Sequence, residues 1–187
     1  LERAQGAMAL HRFEKLLSQG HHISPFTSYN WHGKGNFASM LDVVVLGATE
    51  VDVNFNANVV THSDGKMLHG IGGWQNCLFS KCTILPIPSF RNRIPIIVDE
   101  VTTLVGPGEL IDVIVTERGI AINPRRTDLI KATKHSNLPI RKIEDIKAEI
   151  DDLVGAPLDK PEFTDKLVGV VKWVDGTIID SIFKVKK

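Results

Sequence analysis

Apolar and polar residues follow two strand-like patterns near the centre of the chain. "LDVVVLG", residues 41–47, is a short continuous apolar run, which predicts a parallel strand covered on both faces. "VDVNFNANVV", residues 51–60, alternates strictly and predicts a second, half-buried strand. Its two faces would carry Val51, Val53, Phe55 and Ala57 on one side and Asp52, Asn54, Asn56 and Asn58 on the other.

Further strands are predicted on both sides of several turn signals. "CTILPIP" (82–88) and "IPIIVDEV" (94–101) are apolar segments whose prolines confine them to strand ends or edges. Residues 110–124 indicate two short buried strands around Arg118-Gly119. Asp175-Gly176 separates two strand patterns at the end of the chain and predicts a closing hairpin.

Helical periodicity appears in three places. Residues 3–18 place apolar side chains at helical spacings, and a Gly/Ser/Asn-rich loop follows over residues 24–39. Thr127 can cap a helix over residues 128–135. Residues 143–153 predict an amphipathic helix whose buried face carries Ile143, Ile146, Ile150 and Leu153. Strands in the middle and helices at the sides favour a mixed α/β domain with a central sheet.

Composition excludes several classes of protein. Lys and Arg total 22, as do Asp and Glu, so no net charge favours nucleic acid or a membrane surface. No apolar run reaches the roughly 18 to 20 residues of a membrane helix. Two cysteines are too few for a disulfide framework, which favours a cytoplasmic protein. The start lacks a signal-peptide pattern and begins with Leu, which indicates a piece of a longer chain.

Glu50 is the first candidate for chemistry. It follows the apolar run after three small residues, Gly47, Ala48 and Thr49, which leave room for a ligand to approach the backbone. A partly desolvated carboxylate there could attack a thioester carbonyl or accept a proton. The alternative is a plain surface glutamate at a strand end. The asparagines that follow could orient the carboxylate or form the wet face of a strand.

The glycines of "GIGGWQN", residues 70–76, are the second candidate. Successive glycines let backbone N–H groups converge on a phosphate or a developing oxyanion, and Gly72 and Gly73 are the central pair. A tight connection without any ligand is the alternative. The spacing does not match the dinucleotide-binding fingerprint.

Arginines in "TERGIAINPRR", residues 116–126, are the third candidate. Arg118, Arg125 and Arg126 could hold a carboxylate or phosphate through bidentate contacts, or could cover a helix start. The histidines lack zinc-site spacing, and neither Ser63 nor Ser80 lies in a G-x-S-x-G elbow. No metal is therefore expected.

Read together, several stretches resemble the citrate lyase alpha chain family, the citrate CoA-transferase subunits. They include "LDVVVLGATEVDVNFNANV", "SDGKMLHGIGG", "VTERGIAINPRR" and "VVKWVDGTIID", and span about residues 40–182. The resemblance implies a CoA-transferase-like (NagB/RpiA-like) fold, with an open, mainly parallel sheet, flanking helices and a C-terminal β-hairpin. Residues 40–187 would be such a domain, the C-terminal half of a longer two-domain chain, and residues 1–39 an N-terminal helix and loop.

The resemblance also implies an activity and partners. The family exchanges acetyl for citryl on an acyl carrier thioester and releases acetate. The phosphoribosyl-dephospho-CoA arm would be supplied by the carrier (gamma) subunit, with no cofactor bound by this chain. The lyase (beta) subunit then cleaves the citryl thioester. A homo-oligomer is expected, and neither nucleic acid nor a membrane is an expected partner.

Site residues follow from the matching motifs. Glu50 in "ATEVD" matches the glutamate that related CoA transferases use as nucleophile, and Gly72 and Gly73 match their oxyanion donors. Asn54, Asn56 and Asn58 are expected to bind substrate beside Glu50, and Arg118 and Arg125 to hold citrate carboxylates. The chain departs from the family pattern G-G-H-x-D, because Trp74-Gln75-Asn76 follows the glycines.

Three other functions fit the sequence. One is a non-catalytic scaffold that docks the carrier and lyase subunits. Another is an acetyl-CoA hydrolase or transferase that acts on a different carboxylic acid. The third is a ligand-sensing or sugar-phosphate domain of similar fold.

Overall fold

The structure, a computed structural model, describes residues 40–155 and 160–186, so the predicted helix at 3–18 and loop at 24–39 lie outside the described residues. The described strands are β1 (Val44–Val45), β2 (Glu50–Asp52), β3 (Ala57–Asn58), β4 (Thr83–Pro86), β5 (Phe90–Arg91), β6 (Ile94–Pro95), β7 (Ile97–Val98), β8 (Val113–Thr116), β9 (Gly119–Ile122), β10 (Phe163–Lys172) and β11 (Ile178–Val185). The described helices are α1 (Trp74–Cys77), α2 (Thr127–Thr133) and α3 (Ile143–Val154), with a 3₁₀ turn at Gly108–Leu110.

Four strands form the largest sheet, in the order β1-β4-β8-β9. β1 pairs with β4 and β4 with β8 in parallel, and β8 and β9 form an antiparallel hairpin. A second sheet has the order β3-β2-β7, in which β2 is antiparallel to β3 and parallel to β7. The predicted mixed α/β architecture with open sheets is confirmed, and so are the strands on both sides of Arg118-Gly119.

β1 differs from its prediction. The apolar run was expected to be covered on both faces, yet Val43 and Val45 are 53% and 59% exposed, while Val44 is 5% exposed. Among the described strands β1 lies at the edge of its sheet, and its alternating geometry turns Val43 and Val45 away from the core that buries Val44. An apolar run predicts a strand but does not specify which of its faces are covered.

Residues 51–60 do not form the predicted continuous strand. The chain instead makes a tight hairpin from β2 to β3, in which Phe55 has a φ of +67°. The carboxylate of Asp52 causes the turn, since its Oδ1 accepts the N–H groups of Asn54 (2.9 Å) and Asn56 (3.0 Å). Local side-chain acceptors of this kind compete with an extended strand. Alternation alone could not distinguish these two outcomes.

α3 confirms the predicted amphipathic helix, with one change in its buried face. Ile143, Ile146 and Ile150 are buried as expected, but Leu153 is 54% exposed and Val154 is 6% exposed. Each residue of an α-helix turns by about 100°, so a side chain eleven positions further on points within about 20° of the first. Val154 therefore lies on the same buried face as Ile143, whereas Leu153 does not.

α2 begins at Thr127, one residue before the prediction, and Thr127 does not cap it. The N-cap residue is Arg126, and no side chain caps the helix by a hydrogen bond. The Arg126 guanidinium instead binds the Asp128 carboxylate in the first turn, with NH2 at 2.7 Å from Oδ2, and reaches Asp112 at 2.8 Å. This contact lowers the pKa of Asp128 to about 2, from an ordinary value of 3.8.

The Asp128–Arg126 pair gives a prediction for acid stability. A lowered folded-state pKa stabilises the protein above the unfolded value near 3.8, and that stabilisation is lost as the pH falls towards 2. Wild type is therefore expected to lose more stability than Asp128→Asn between pH 5 and pH 2, as followed by urea unfolding at each pH. The difference should shrink in high salt, because the pair is exposed. Parallel curves in low salt would contradict the prediction.

The closing hairpin of β10 and β11 is antiparallel, and its turn contains Gly176 with a φ of +91°. Val171 and Ile182 insert into the core, and Asp180 Oδ2 accepts the N–H of Leu104 at 2.6 Å. The predicted C-terminal hairpin is thus confirmed and packs onto the domain. None of the described helices has both the length and the apolar composition needed to span a bilayer.

Candidate active site

Glu50 is the first residue of β2, the middle strand of the three-stranded sheet, and is only 2% exposed. It does not stand at an open strand end. β2 pairs with β3 on one side and β7 on the other, which encloses the side chain. A carboxylate at such a depth is stable only when hydrogen-bond donors replace its water.

Two residues supply those donors. Thr102 donates its backbone N–H to Glu50 Oε2 at 2.8 Å and its hydroxyl to Oε1 at 3.0 Å. Asn58 donates from Nδ2 to Oε2 at 2.9 Å. Oε2 thus accepts two N–H groups and Oε1 accepts one hydroxyl, so Oε1 retains more capacity to meet a ligand.

Asn58 is fully buried and held in one orientation. Its Oδ1 accepts the N–H groups of Val60 and Thr61, and its Nδ2 donates to the Thr61 hydroxyl as well as to Glu50. The Thr61 hydroxyl in turn contacts that of Thr103 at 2.8 Å. Since the amide oxygen is already committed to backbone donors, the NH₂ group must face Glu50.

Asn54 and Asn56 do not contact Glu50 in the described residues. Asn56 donates from Nδ2 to Asp52 Oδ2 at 3.0 Å and accepts the N–H of Gly108 at 2.9 Å, so it ties the hairpin to the 3₁₀ turn. Asn54 is exposed in the turn between β2 and β3. Of the three asparagines expected beside Glu50, the structure brings only Asn58 to it.

Glu50 lines a cavity of about 360 Å³, named cavity 1. Its apolar wall includes Ile94, Pro95 and Ile97. Its polar lining is acidic, with five carboxylates against two lysines: Glu50, Asp64, Asp99, Glu100 and Asp151, with Lys147 and Lys160. Lys147 is already paired with Asp99 at 3.0 Å and Asp151 at 2.7 Å. Cavity 1 therefore suits a neutral acyl group better than a free polycarboxylate.

Gly72 and Gly73 line a different cavity of about 720 Å³, named cavity 2. Gly47, Ala48 and Thr49 line it as well, and Trp74 Nε1 donates to the carbonyl of Gly47 at 2.9 Å. The Trp74 that departs from the family pattern thus fastens the glycine turn to the loop before Glu50. The two cavities share no lining residue within the described chain, so Glu50 and Gly72-Gly73 line different cavities, and their joint action stays a prediction.

Arg118 and Arg125 line neither cavity in the part of the chain described by the structure. Arg118 NH1 lies 2.9 Å from Glu149, and its Nε donates to Ser89 Oγ at 3.2 Å. Arg125 is exposed and lies 3.4 Å from Glu109. Each guanidinium lies near a carboxylate of the chain itself, and the citrate contacts expected of Arg118 and Arg125 stay a prediction.

Two residues beside the cavities were missed by sequence reasoning. Thr102 belongs to no recognisable motif and reaches Glu50 only because β7 pairs with β2. Arg91 lines cavity 2 and donates from NH2 to the carbonyl of Ala48 at 3.2 Å. The sequence "RNR" at residues 91–93 could have drawn attention to Arg91, because it places two arginines around an asparagine typical of a tight turn. No group of three or more potential metal ligands occurs among the described residues.

Comparison with known proteins gives a consistent set of relatives. The family described as Citrate lyase, alpha subunit (CitF) matches residues 5–185, so the match includes most of the segment 1–39. The citrate lyase alpha chain of Klebsiella pneumoniae is 42% identical over 154 residues, 82% of this chain and 30% of its own length. That of Escherichia coli K12 is 38% identical over 180 residues, 95% of this chain and 35% of its own length.

A solved structure agrees with these sequences. The protein from Streptococcus mutans described as the alpha subunit of citrate lyase in complex with citrate superimposes with a TM-score of 0.87 at 37% identity. The superposition covers 92% of this chain and 34% of that one. The chain spans about a third of the length of the curated relatives that it matches. The family match over nearly all of its residues places the chain in the citrate lyase alpha subunit family.

Proposed function

We propose that the chain is part of a citrate CoA-transferase, which exchanges acetyl for citryl on an acyl carrier thioester and releases acetate. The observation that carries the proposal is a buried glutamate, held by three hydrogen bonds at the wall of a cavity, in a chain of this family. A CoA-transferase-like fold of the NagB/RpiA type belongs to the same proposal. Its support is the mixed sheet with parallel pairs at β1-β4-β8.

Glu50 would act as the nucleophile. Its Oε1 attacks the thioester carbonyl, a C–O bond forms, and the C–S bond breaks, so that the carrier leaves as thiolate and an acyl-glutamyl anhydride remains. Thr102 and Asn58 would hold the carboxylate in one orientation, because their donors fix the positions of both of its oxygens. Mass spectrometry of the quenched parent enzyme would detect an acyl or thioester adduct on Glu50, whereas direct transfer between bound acids would leave it unmodified.

The whole reaction requires more than this chain. We propose that the carrier subunit brings its phosphoribosyl-dephospho-CoA arm to cavity 1, where the lining would accept the neutral acetyl group. The lyase subunit would then cleave the citryl thioester. Candidates for contacts with the carrier or the acid remain Asn54, Asn56, Gly72 and Gly73. The test is acetyl-to-citryl exchange on the acyl carrier by the full-length parent enzyme. Absence of exchange in that enzyme would overturn the proposal.

Thr102 gives a prediction for a positioning residue. Thr102→Val is nearly isosteric and retains the backbone N–H, but it removes the hydroxyl that holds Glu50 Oε1. We expect kcat for exchange to fall about 10-fold, the value of one hydrogen bond to a charged group, with KM for the acyl carrier changed less than twofold.

The conservative variant Thr102→Ser is the matched control. It retains the hydroxyl and should recover most of the lost kcat, although it lacks the methyl group that Thr102→Val keeps. A merely structural role for Thr102 would reduce kcat and stability in parallel for both variants. Equal kcat for Thr102→Val and wild type would show that the hydroxyl does not position Glu50.

A further inference from the structure

The two cavities differ sharply in charge. Cavity 1 is lined by five carboxylates and two lysines. Cavity 2 is lined mostly by apolar side chains and glycines, with Arg91 and His69 as its basic residues and, among the described residues, no carboxylate. An anionic group would be repelled by the first lining and attracted by the second, in a space of about 720 Å³ that is large enough for a small acid.

The Arg91 side chain is carried by a short, well-defined hairpin. β5 and β6 are joined by Asn92 and Arg93, whose φ angles of +48° and +65° are those of a type I′ turn. From this hairpin the Arg91 guanidinium reaches across to the Ala48 carbonyl at 3.2 Å. It therefore lies against the backbone two residues before Glu50, on the face of that loop that lines cavity 2.

Arg91 differs in its partners from four other described arginines. Arg118, Arg125, Arg126 and Arg141 each bind a carboxylate of the chain. Within residues 40–155 and 160–186, Arg91 has no carboxylate within 4.0 Å, and its one hydrogen bond uses one of five N–H donors. The remaining donors keep the fork geometry that matches carboxylate and phosphate oxygens.

The backbone beside Arg91 adds donors to the same cavity. The N–H groups of residues 70–73 donate to no acceptor among the described residues, and Gly72 adopts a φ of +60°. Gly70 is open enough that an added Cβ would meet nothing within 4 Å. Arg91 and the glycine turn thus line the same cavity, and the N–H groups of that turn have no acceptor among the described residues.

The geometry points to cavity 2 as a binding site for an anionic oxygen group, a carboxylate or a phosphate, with Arg91 as its principal ligand-binding residue. The inference rests on the proposed function, which supplies two molecules with such a group. One is the polycarboxylate acid, and the other is the carrier arm with its phosphate. Arg91 then determines specificity from a position beside the loop that precedes Glu50.

The experiment uses the full-length parent enzyme with Arg91→Gln. Citrate affinity is measured by titration calorimetry without any carrier, and KM for the acetyl carrier is measured in the exchange assay. Loss of one charge-assisted, bidentate contact should weaken one of these by about 10- to 100-fold. Arg93→Gln is the matched control, since it removes the same charge from the same hairpin, and Arg93 donates a hydrogen bond to the carbonyl of Val154 rather than lining cavity 2.

The outcomes separate the sources of the anion. A rise in the citrate Kd alone assigns cavity 2 to the acid, and a rise in the carrier KM alone assigns it to the arm phosphate. Arg91→Lys should recover only part of the loss, because the ammonium lacks the fork. Unchanged citrate Kd and carrier KM in Arg91→Gln, or equal losses in Arg93→Gln, overturn the inference. Citrate calorimetry does not depend on exchange, so a failed exchange assay in wild type would count against the proposed function alone.

Discussion

Glu50→Gln in the full-length parent is expected to lower acetyl-to-citryl exchange by about 1,000-fold or more, because a glutamine amide cannot attack a thioester as a carboxylate does. The fold should survive the change. The glutamine oxygen can accept hydrogen bonds from the Thr102 backbone N–H and from Asn58 Nδ2. The glutamine NH₂ can donate to the Thr102 hydroxyl, because a hydroxyl oxygen also accepts. The substitution therefore removes the charge and preserves the three contacts.

Three measurements make the Glu50 result interpretable. Exchange is assayed on the acyl carrier, carrier binding is measured separately, and the free energy of unfolding is compared with wild type. Glu144→Gln is the charge-matched control, since Glu144 is an exposed residue in the first turn of α3 and lines neither cavity. Equal exchange rates in Glu50→Gln and wild type would make Glu50 a structural residue and locate the chemistry elsewhere.

Gly108→Ala is expected to produce the largest loss of stability, about 3 kcal/mol or more in the free energy of unfolding. A Cβ at this position would lie 2.0 Å from the carbonyl oxygen of Asn54 and 2.9 Å from the carbonyl carbon of Phe55. Both are backbone atoms of the β2–β3 turn, so no side-chain rotation relieves the clash. The turn would have to move away, which breaks the Gly108 N–H bond to Asn56 and disturbs the strand that carries Glu50.

Denaturant unfolding measures this effect, and Gly47→Ala is its control. A Cβ on Gly47 would meet nothing within 4 Å, so the same chemical change should alter the free energy of unfolding by less than about 1 kcal/mol. Similar losses for both variants would show that the close approach at Gly108 is relieved at little cost. A loss confined to Gly108→Ala would show that the turn is held against the 3₁₀ segment as described.

The local pattern of the sequence predicted most elements whose causes are local. α3 follows from the periodicity of Ile143, Ile146 and Ile150, and the closing hairpin follows from Asp175-Gly176 between two strand patterns. The failures occurred where local signals were ambiguous. Alternation over residues 51–60 fits a strand as well as a hairpin, and the Asp52 carboxylate decided for the hairpin by accepting backbone N–H groups. At the end of α3, the sequence predicted that Leu153 would be buried, but the next residue, Val154, is buried instead.

The sequence by itself identified Glu50 as a candidate, because small residues before it and the motif "ATEVD" are both readable in one dimension. Only the tertiary structure decided what surrounds it. Thr102 is 52 residues away and meets Glu50 through the parallel pairing of β2 with β7, and Arg91 reaches Ala48 from 43 residues away. Hydrogen bonds and cavities form between whatever segments the sheet brings together. Their partners depend on strand order and register, which no local periodicity specifies.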